Sequence, residues 1–281
     1  MNQERIHRTR SEDGTELVGR VSGQGPPLVL VPAGPGDSET TWRFVIPRLR
    51  ERFTCHAMNT RGRGLSGDHP EHTPDRLVAD ITAYVESVGD PVGLVSGGNV
   101  GWPLVPANAS SAVAAIAAWE PIFDKLLSEA DAAVLADVFG RVGALAAEQR
   151  LEEAAQAWLE GMAAAGFYTP EDAVDGAAPA FWQAAVSNIP LFVHQEALAA
   201  DAEGLGPADP SVLAQVTAPV LLLHGSRTHP AFVDMVRHVA THVAHPQVRE
   251  IPGAGHFGIY TEPAAVTDEM VAFFAANLVR A

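Results

Sequence analysis

Short apolar runs alternate with stretches of helical spacing along most of this chain. Residues 17–21, 28–31, 53–58, 92–96 and 114–119 are mostly apolar and end in glycine, proline or polar residues, the pattern of buried strands. Between them, Trp42, Val45, Ile46 and Leu49 recur at helical spacing over 42–50. Leu77, Ile81, Tyr84 and Val88 mark one face of a helix over 75–88. This alternation predicts an α/β fold with a mostly parallel sheet flanked by helices. The pattern changes after Glu120 and Pro121. Residues 124–205 are rich in alanine, carry Val134, Leu135, Val138, Phe139 and Val142 at helix spacing, and hold no convincing strand. Strand character returns at 219–224 and 248–251, and 263–278 predicts a closing helix. The expected organisation is a core of residues 1–123 and 206–281, interrupted by a helical insertion over 124–205. That is the arrangement of a cap over an active site.

With 281 residues, 47% of them hydrophobic, the chain is long enough for one large domain with such an insertion. A formal net charge of −16 argues against nucleic acid and anionic membrane as partners. No apolar run approaches the ~20 residues of a membrane helix, and the first residues lack the apolar stretch of a signal peptide. The expectation is a cytoplasmic protein acting on a small molecule. The single cysteine, Cys55, lies in an apolar run and reads as a core residue; it excludes an internal disulfide. His224 and His229 lack neighbouring partners for a metal. The glycines at 34, 36, 62 and 64 do not open a dinucleotide-binding turn. Neither a metal nor a cofactor is expected.

Four glycine-rich turns follow predicted strands: Pro32-Ala33-Gly34, Arg61-Gly62-Arg63-Gly64-Leu65-Ser66-Gly67, Ser96-Gly97-Gly98, and Gly253-Ala254-Gly255-His256. Their order and content resemble the α/β-hydrolase fold superfamily. They would correspond to its oxyanion loop, its Arg-Gly-x-Gly-x-Ser loop, its nucleophile elbow and its catalytic-histidine turn. The resemblance spans residues 28–278 and implies the α/β-hydrolase fold. In many members the acid follows the strand before the histidine turn, but here that loop, residues 225–230, has no carboxylate. Trp119-Glu120-Pro121 instead resembles the subgroup with a Glu-Pro-Pro motif, although Ile122 replaces the second proline. The resemblance therefore implies His256 as base and Glu120 as the acid that orients it.

The departure is Gly98, which stands at the elbow tip where the family has its serine, leaving the nucleophile position vacant. Ser96 and Val100 replace the two motif glycines, and Gly97 stands where histidine is common. The oxyanion donors implied are the backbone N–H groups of Gly34 and Asn99; Pro35 has none to give. Trp42, Trp102, Phe167, Tyr168, Phe181, Trp182 and Phe192 are candidates to line an apolar substrate cavity between core and cap. Three readings follow. In the leading one, His256 acts as general base without a serine, in elimination, isomerisation, cyclisation or hydration of a small apolar, polyketide-like substrate. In the second, the protein hydrolyses an ester or C–C bond through a displaced nucleophile, Ser96, or an activated water. Two residues of strand separate Ser96 from position 98 by ~6.6 Å, which puts its hydroxyl out of reach of a base aimed there. The third is a ligand-binding protein with no chemistry.

Overall fold

A computed structural model describes residues 5–98, 112–176 and 178–278 of the protein. Eight strands form one sheet: β1 (Arg5–Arg10), β2 (Glu16–Gly23), β3 (Pro27–Leu30), β4 (Thr54–Met58), β5 (Val92–Gly97), β6 (Val113–Pro121), β7 (Val220–Gly225) and β8 (Pro246–Ile251). They lie in the order β1-β2-β4-β3-β5-β6-β7-β8. β2 is antiparallel to both its neighbours, and every other pair is parallel. This is the α/β-hydrolase fold. The sequence pattern finds every strand except β1, whose exposed edge run Arg-Ile-His-Arg-Thr-Arg has almost no apolar side to detect.

The central strands read as continuous apolar runs because both faces are covered. On one face Leu28, Leu30, Val95, Ala117 and Leu223 pack against α2 (Ile46–Leu49) and α11 (Pro263–Asn277). On the other, Val29, Leu94, Ile116 and Leu222 pack against α3 (Pro74–Ser87) and α9 (Pro230–His242). Of the helix expected over 42–50 only α2 forms, and a second short helix, α1 (Ser38–Thr41), precedes it. Pro47 fits the first turn of a helix rather than its interior, and Trp42, between the two helices, donates its indole N–H to Val31 O at 2.9 Å. Between β6 and β7 run α4 (Glu129–Ala147), α5 (Leu151–Ala164), α6 (Pro170–Gly176) and α7 (Pro179–Asp201), followed by the short α8 (Pro210–Leu213). No described residue of 124–205 is in a strand. The short helix α10 (Gly258–Thr261) leads into α11. Among the described residues no helix is long and apolar enough to cross a membrane.

One buried group makes stability depend on pH. His56, on β4, packs edge-on to His7 and Tyr84, and among the described residues its Nδ1 has no partner. Burial, helped by the charges of His7 and Arg5, pushes its pKa down to about 4. The unfolded chain accepts a proton near pH 6.5, which the folded chain refuses until about 4. Stability is therefore complete above pH 6.5 and falls as the pH drops towards 4, by on the order of 2–3 kcal/mol from this residue. Urea unfolding at pH 7 and pH 4.5 should show a smaller acid loss in His56→Gln than in the wild type. An equal loss in both would exclude His56 as its source.

Candidate active site

The ends of β5, β6 and β7 and the turn after β8 meet at one place. Gly98 follows β5 directly and adopts φ +60°, a conformation that costs glycine little. It is tied to the next strand by a bridge to Pro121 and by the Ile122 N–H, which donates to Gly98 O at 3.3 Å. That tie brings Glu120 alongside. Glu120 is fully buried and holds φ +43°, a strained backbone for a side chain that costs ~1–3 kcal/mol and persists only where its surroundings impose it. Here they do. Glu120 Oε1 accepts from Gly225 N at 3.1 Å and from the Thr228 hydroxyl. Its Oε2 faces His256 Nδ1 at 2.6 Å. The last residue of β7 and the loop after it, which offers no carboxylate of its own, thus supply two donors that hold the Glu120 carboxylate.

His256 projects from the turn after β8. Its ring lies parallel to that of Tyr168, with centroids 4.8 Å apart and planes 7° apart, and Phe232 packs at 5.3 Å. Trp119 Nε1 donates to His256 O at 2.8 Å. With Nδ1 on Glu120, Nε2 is the nitrogen left for proton transfer. Burial and the nearby carboxylates of Asp172, Glu196, Glu120 and Asp124 push the Tyr168 phenol well above its ordinary pKa. It therefore stays neutral and serves as a stacking surface.

A cavity of about 80 Å³ opens here, bordered by Gly34, Gly97, Gly98 and His256 on the sheet side and by Trp158, Met162, Tyr168, Phe181 and Phe192 on the helical side. That exceeds the ~10–15 Å³ a single water needs. Asp124 and Glu196 also border it and hydrogen-bond to each other; burial raises the Asp124 pKa.

A search of protein families matches residues 28–269 to the model described as the alpha/beta hydrolase family. The chain belongs to that family. Its membership and the hydrolase names of its relatives mark it as an enzyme and leave the reaction type open. An alpha/beta hydrolase from Sphaerobacter thermophilus has the same fold, with a TM-score of 0.78 at 23% identity, over 95% of this chain and 100% of that one. N-formylmaleamate deformylase of Pseudomonas putida is 39% identical over 72 residues, 25% of this chain and 26% of that protein. Pyrrolizixenacetamide deacetylase of Xenorhabdus hominickii is 34% identical over 101 residues, 36% of this chain and 35% of that protein. The chain thus matches only about a quarter to a third of the length of these relatives.

The other residues singled out from sequence divide into three groups. Phe167, Tyr168, Phe181 and Phe192 border the cavity, as does Gly34 at φ +51°. Two of the aromatic candidates do not. Trp42 is fully buried under Gly97 with its indole N–H committed to Val31 O, and Trp182 lines an outer groove with Arg141 and Gln156. Asn99, Val100 and Trp102 lie outside the described residues. Ser96 is fully buried, does not border the cavity, and among the described residues its hydroxyl has no hydrogen-bond partner. Sequence reasoning misses Arg63. This fully buried arginine donates to the carbonyls of Gly34 and Gly36 and to Gln195 Oε1 on α7, so it ties the Gly34 loop to the helical segment. Burial lowers its pKa to about 10, which leaves it charged at neutral pH. An arginine set inside a glycine-rich loop between two apolar strands is the signal that could have found it. Trp158, Phe232 and Asp172 are missed as well.

Proposed function

We propose that this family member works without a serine nucleophile. In this reading Gly98 occupies the elbow tip, and the absent side chain leaves space beside His256 for a water or a substrate group. Glu120 fixes the imidazole and stabilises it when protonated. Nε2 takes a proton from the bound group, and the Gly34 N–H stabilises the developing enolate or alkoxide. Among the described residues nothing accepts from that N–H. Residues 124–205 form the cap that excludes water, and the aromatic wall selects a small, mostly apolar substrate. The observation that carries the reading is the 2.6 Å Glu120–His256 pair at a cavity that a glycine at φ +60° also borders. Its chemistry is elimination, isomerisation, cyclisation or hydration.

A second reading has a specific observation in its favour. The two relatives named above are called a deformylase and a deacetylase. In that reading His256 activates a water for hydrolysis of a small amide or ester. The buried position of Ser96 disfavours it as the nucleophile of either reaction.

The test uses a panel of small formamides, acetamides, aryl esters and enolisable ketones together with a serine-directed fluorophosphonate. Turnover of a panel member with no labelling is the expected result, and hydrolysis products would select the second reading. Labelling that disappears in Ser96→Ala, along with activity, would sink the proposal. Gly98→Ser provides a positive control. Among the described residues a Cβ at 98 meets nothing nearer than Ala33 Cβ at 3.5 Å, so they accommodate the serine at the cost of its positive φ, and this variant should gain labelling. If it is folded and stays unlabelled, Gly98 is not at an elbow tip.

A further inference from the structure

One buried carboxylate near the site has no place in that mechanism. Asp172, on α6, is 1% exposed, and among the described residues no basic side chain pairs with it. Its ligands are backbone N–H groups. Oδ2 accepts from Thr169 N at 2.8 Å and from His256 N at 3.2 Å, and Oδ1 accepts from Phe257 N at 2.9 Å. The N–H groups of His256 and Phe257 belong to the two peptides that flank the His256 Cα. The carbonyl of the second peptide is held from the other side by Trp119 Nε1 at 2.8 Å. Gly255 packs flat against the carboxylate, where an added Cβ would lie 2.5 Å from Asp172 Oδ2. Four residues earlier in the same segment, Tyr168 stacks on the imidazole itself.

The geometry points to Asp172 as a positioning residue for His256, a carboxylate from the helical segment that fixes both peptides around the histidine and so keeps Nδ1 on Glu120 and Nε2 at the cavity. A buried charge is costly unless donors surround it, and charge-assisted bonds are short and directional. Two such bonds, to His256 N and Phe257 N, therefore hold the turn more firmly than neutral partners would, while the third, from Thr169 N, fixes the carboxylate on its own segment. Displacements of ~1 Å at a reacting group cost on the order of 10²-fold in rate, so the precision of this clamp matters to the base. The inference rests on reading His256 and Glu120 as the working pair.

Its test needs no substrate. In the full-length protein the Nδ1 proton of His256, held against Glu120, should give a strongly deshielded, slowly exchanging NMR resonance that is absent in His256→Ala. Asp172→Asn places an N–H₂ group among donors and should broaden, shift or abolish that resonance. Gly255→Ala reaches the same contact from the turn and should do likewise; it decides the matter if Asp172→Asn does not fold. Thr169→Ala removes the bond from Asp172 N to the Thr169 hydroxyl and leaves the clamp on His256 and Phe257, so the resonance should persist. A resonance unchanged in both Asp172→Asn and Gly255→Ala would overturn the inference and leave the pair intact. Equal loss in Thr169→Ala would make Asp172 a general anchor of α6 and overturn it too. A resonance missing from the wild type would overturn the pair itself, and the clamp with it.

Discussion

His256→Ala should lower kcat/KM by roughly 10²–10⁴-fold on whichever compound of the panel the wild type converts, the usual loss when a positioned general base is removed. Little stability should be lost with it. The His256 side chain is 14% exposed, and its turn is held through backbone groups rather than through the imidazole. Glu120→Gln should approach the same catalytic loss by a different route. A carboxamide can turn its N–H₂ towards Nδ1, which favours the tautomer with the proton on Nε2 and leaves nothing to take the substrate proton. The glutamine variant should keep most of its stability, because with the N–H₂ on Nδ1 its amide oxygen still accepts from Gly225 N and Thr228. Steady-state kinetics with urea unfolding of both variants separate the two effects. Full activity in His256→Ala would refute the base.

Much of this arrangement is legible in the sequence. Apolar runs mark every strand with a buried face, since those residues must be apolar wherever the sheet is covered on both sides. β1 escapes because an edge strand exposed along its length needs no such pattern. Glu120 and His256 stand out by their places in turns, and the structure sets them 2.6 Å apart. What sequence does not provide is direction. Trp42 and Trp182 are aromatic residues in plausible elements, yet one packs under Gly97 at the ends of the central strands and the other lines an outer groove. The contacts of Asp172 and Arg63 stay hidden for a related reason. Their partners are mainly backbone N–H and carbonyl groups, which nearly every residue carries, so no pairing of side-chain types announces them. Asp172 meets His256 across 84 positions and Arg63 meets Gln195 across 132, separations at which only the fold decides contact.

The largest effect on stability should come from Arg61→Met, a loss of ~3–5 kcal/mol measured as the fall in unfolding free energy in urea at pH 7. Arg61 is fully buried. It donates from Nε and Nη2 to the two oxygens of Asp80 at 2.7 and 2.6 Å, and from Nη1 to Asp13 Oδ2 and Glu71 O, both at 2.8 Å. The methionine fills much of the volume but leaves the Asp80 carboxylate, also fully buried, without its counter-charge. Arg61→Lys should recover only part of the loss, because an ammonium cannot make the paired contact of a planar guanidinium. Adding Asp80→Asn to Arg61→Met should restore stability by removing the stranded charge, and failure to do so would show that packing rather than charge sets the loss. The pair also shapes the acid limit. Hydrogen bonds from Thr15 and the Arg61 charge hold the Asp13 carboxyl well below the usual range. Its share of stability is therefore present above about pH 4, lost as the pH falls further, and reduced in Arg61→Met. The consequence reaches the site because Arg61 opens the glycine-rich loop that carries Arg63, and Arg63 bonds the carbonyls of Gly34 and Gly36. A loosened Arg61 loop should weaken the tie on the Gly34 turn. Arg61→Met, assayed well below its unfolding transition, should then lose kcat as well as stability, whereas His56→Gln should lose neither at neutral pH.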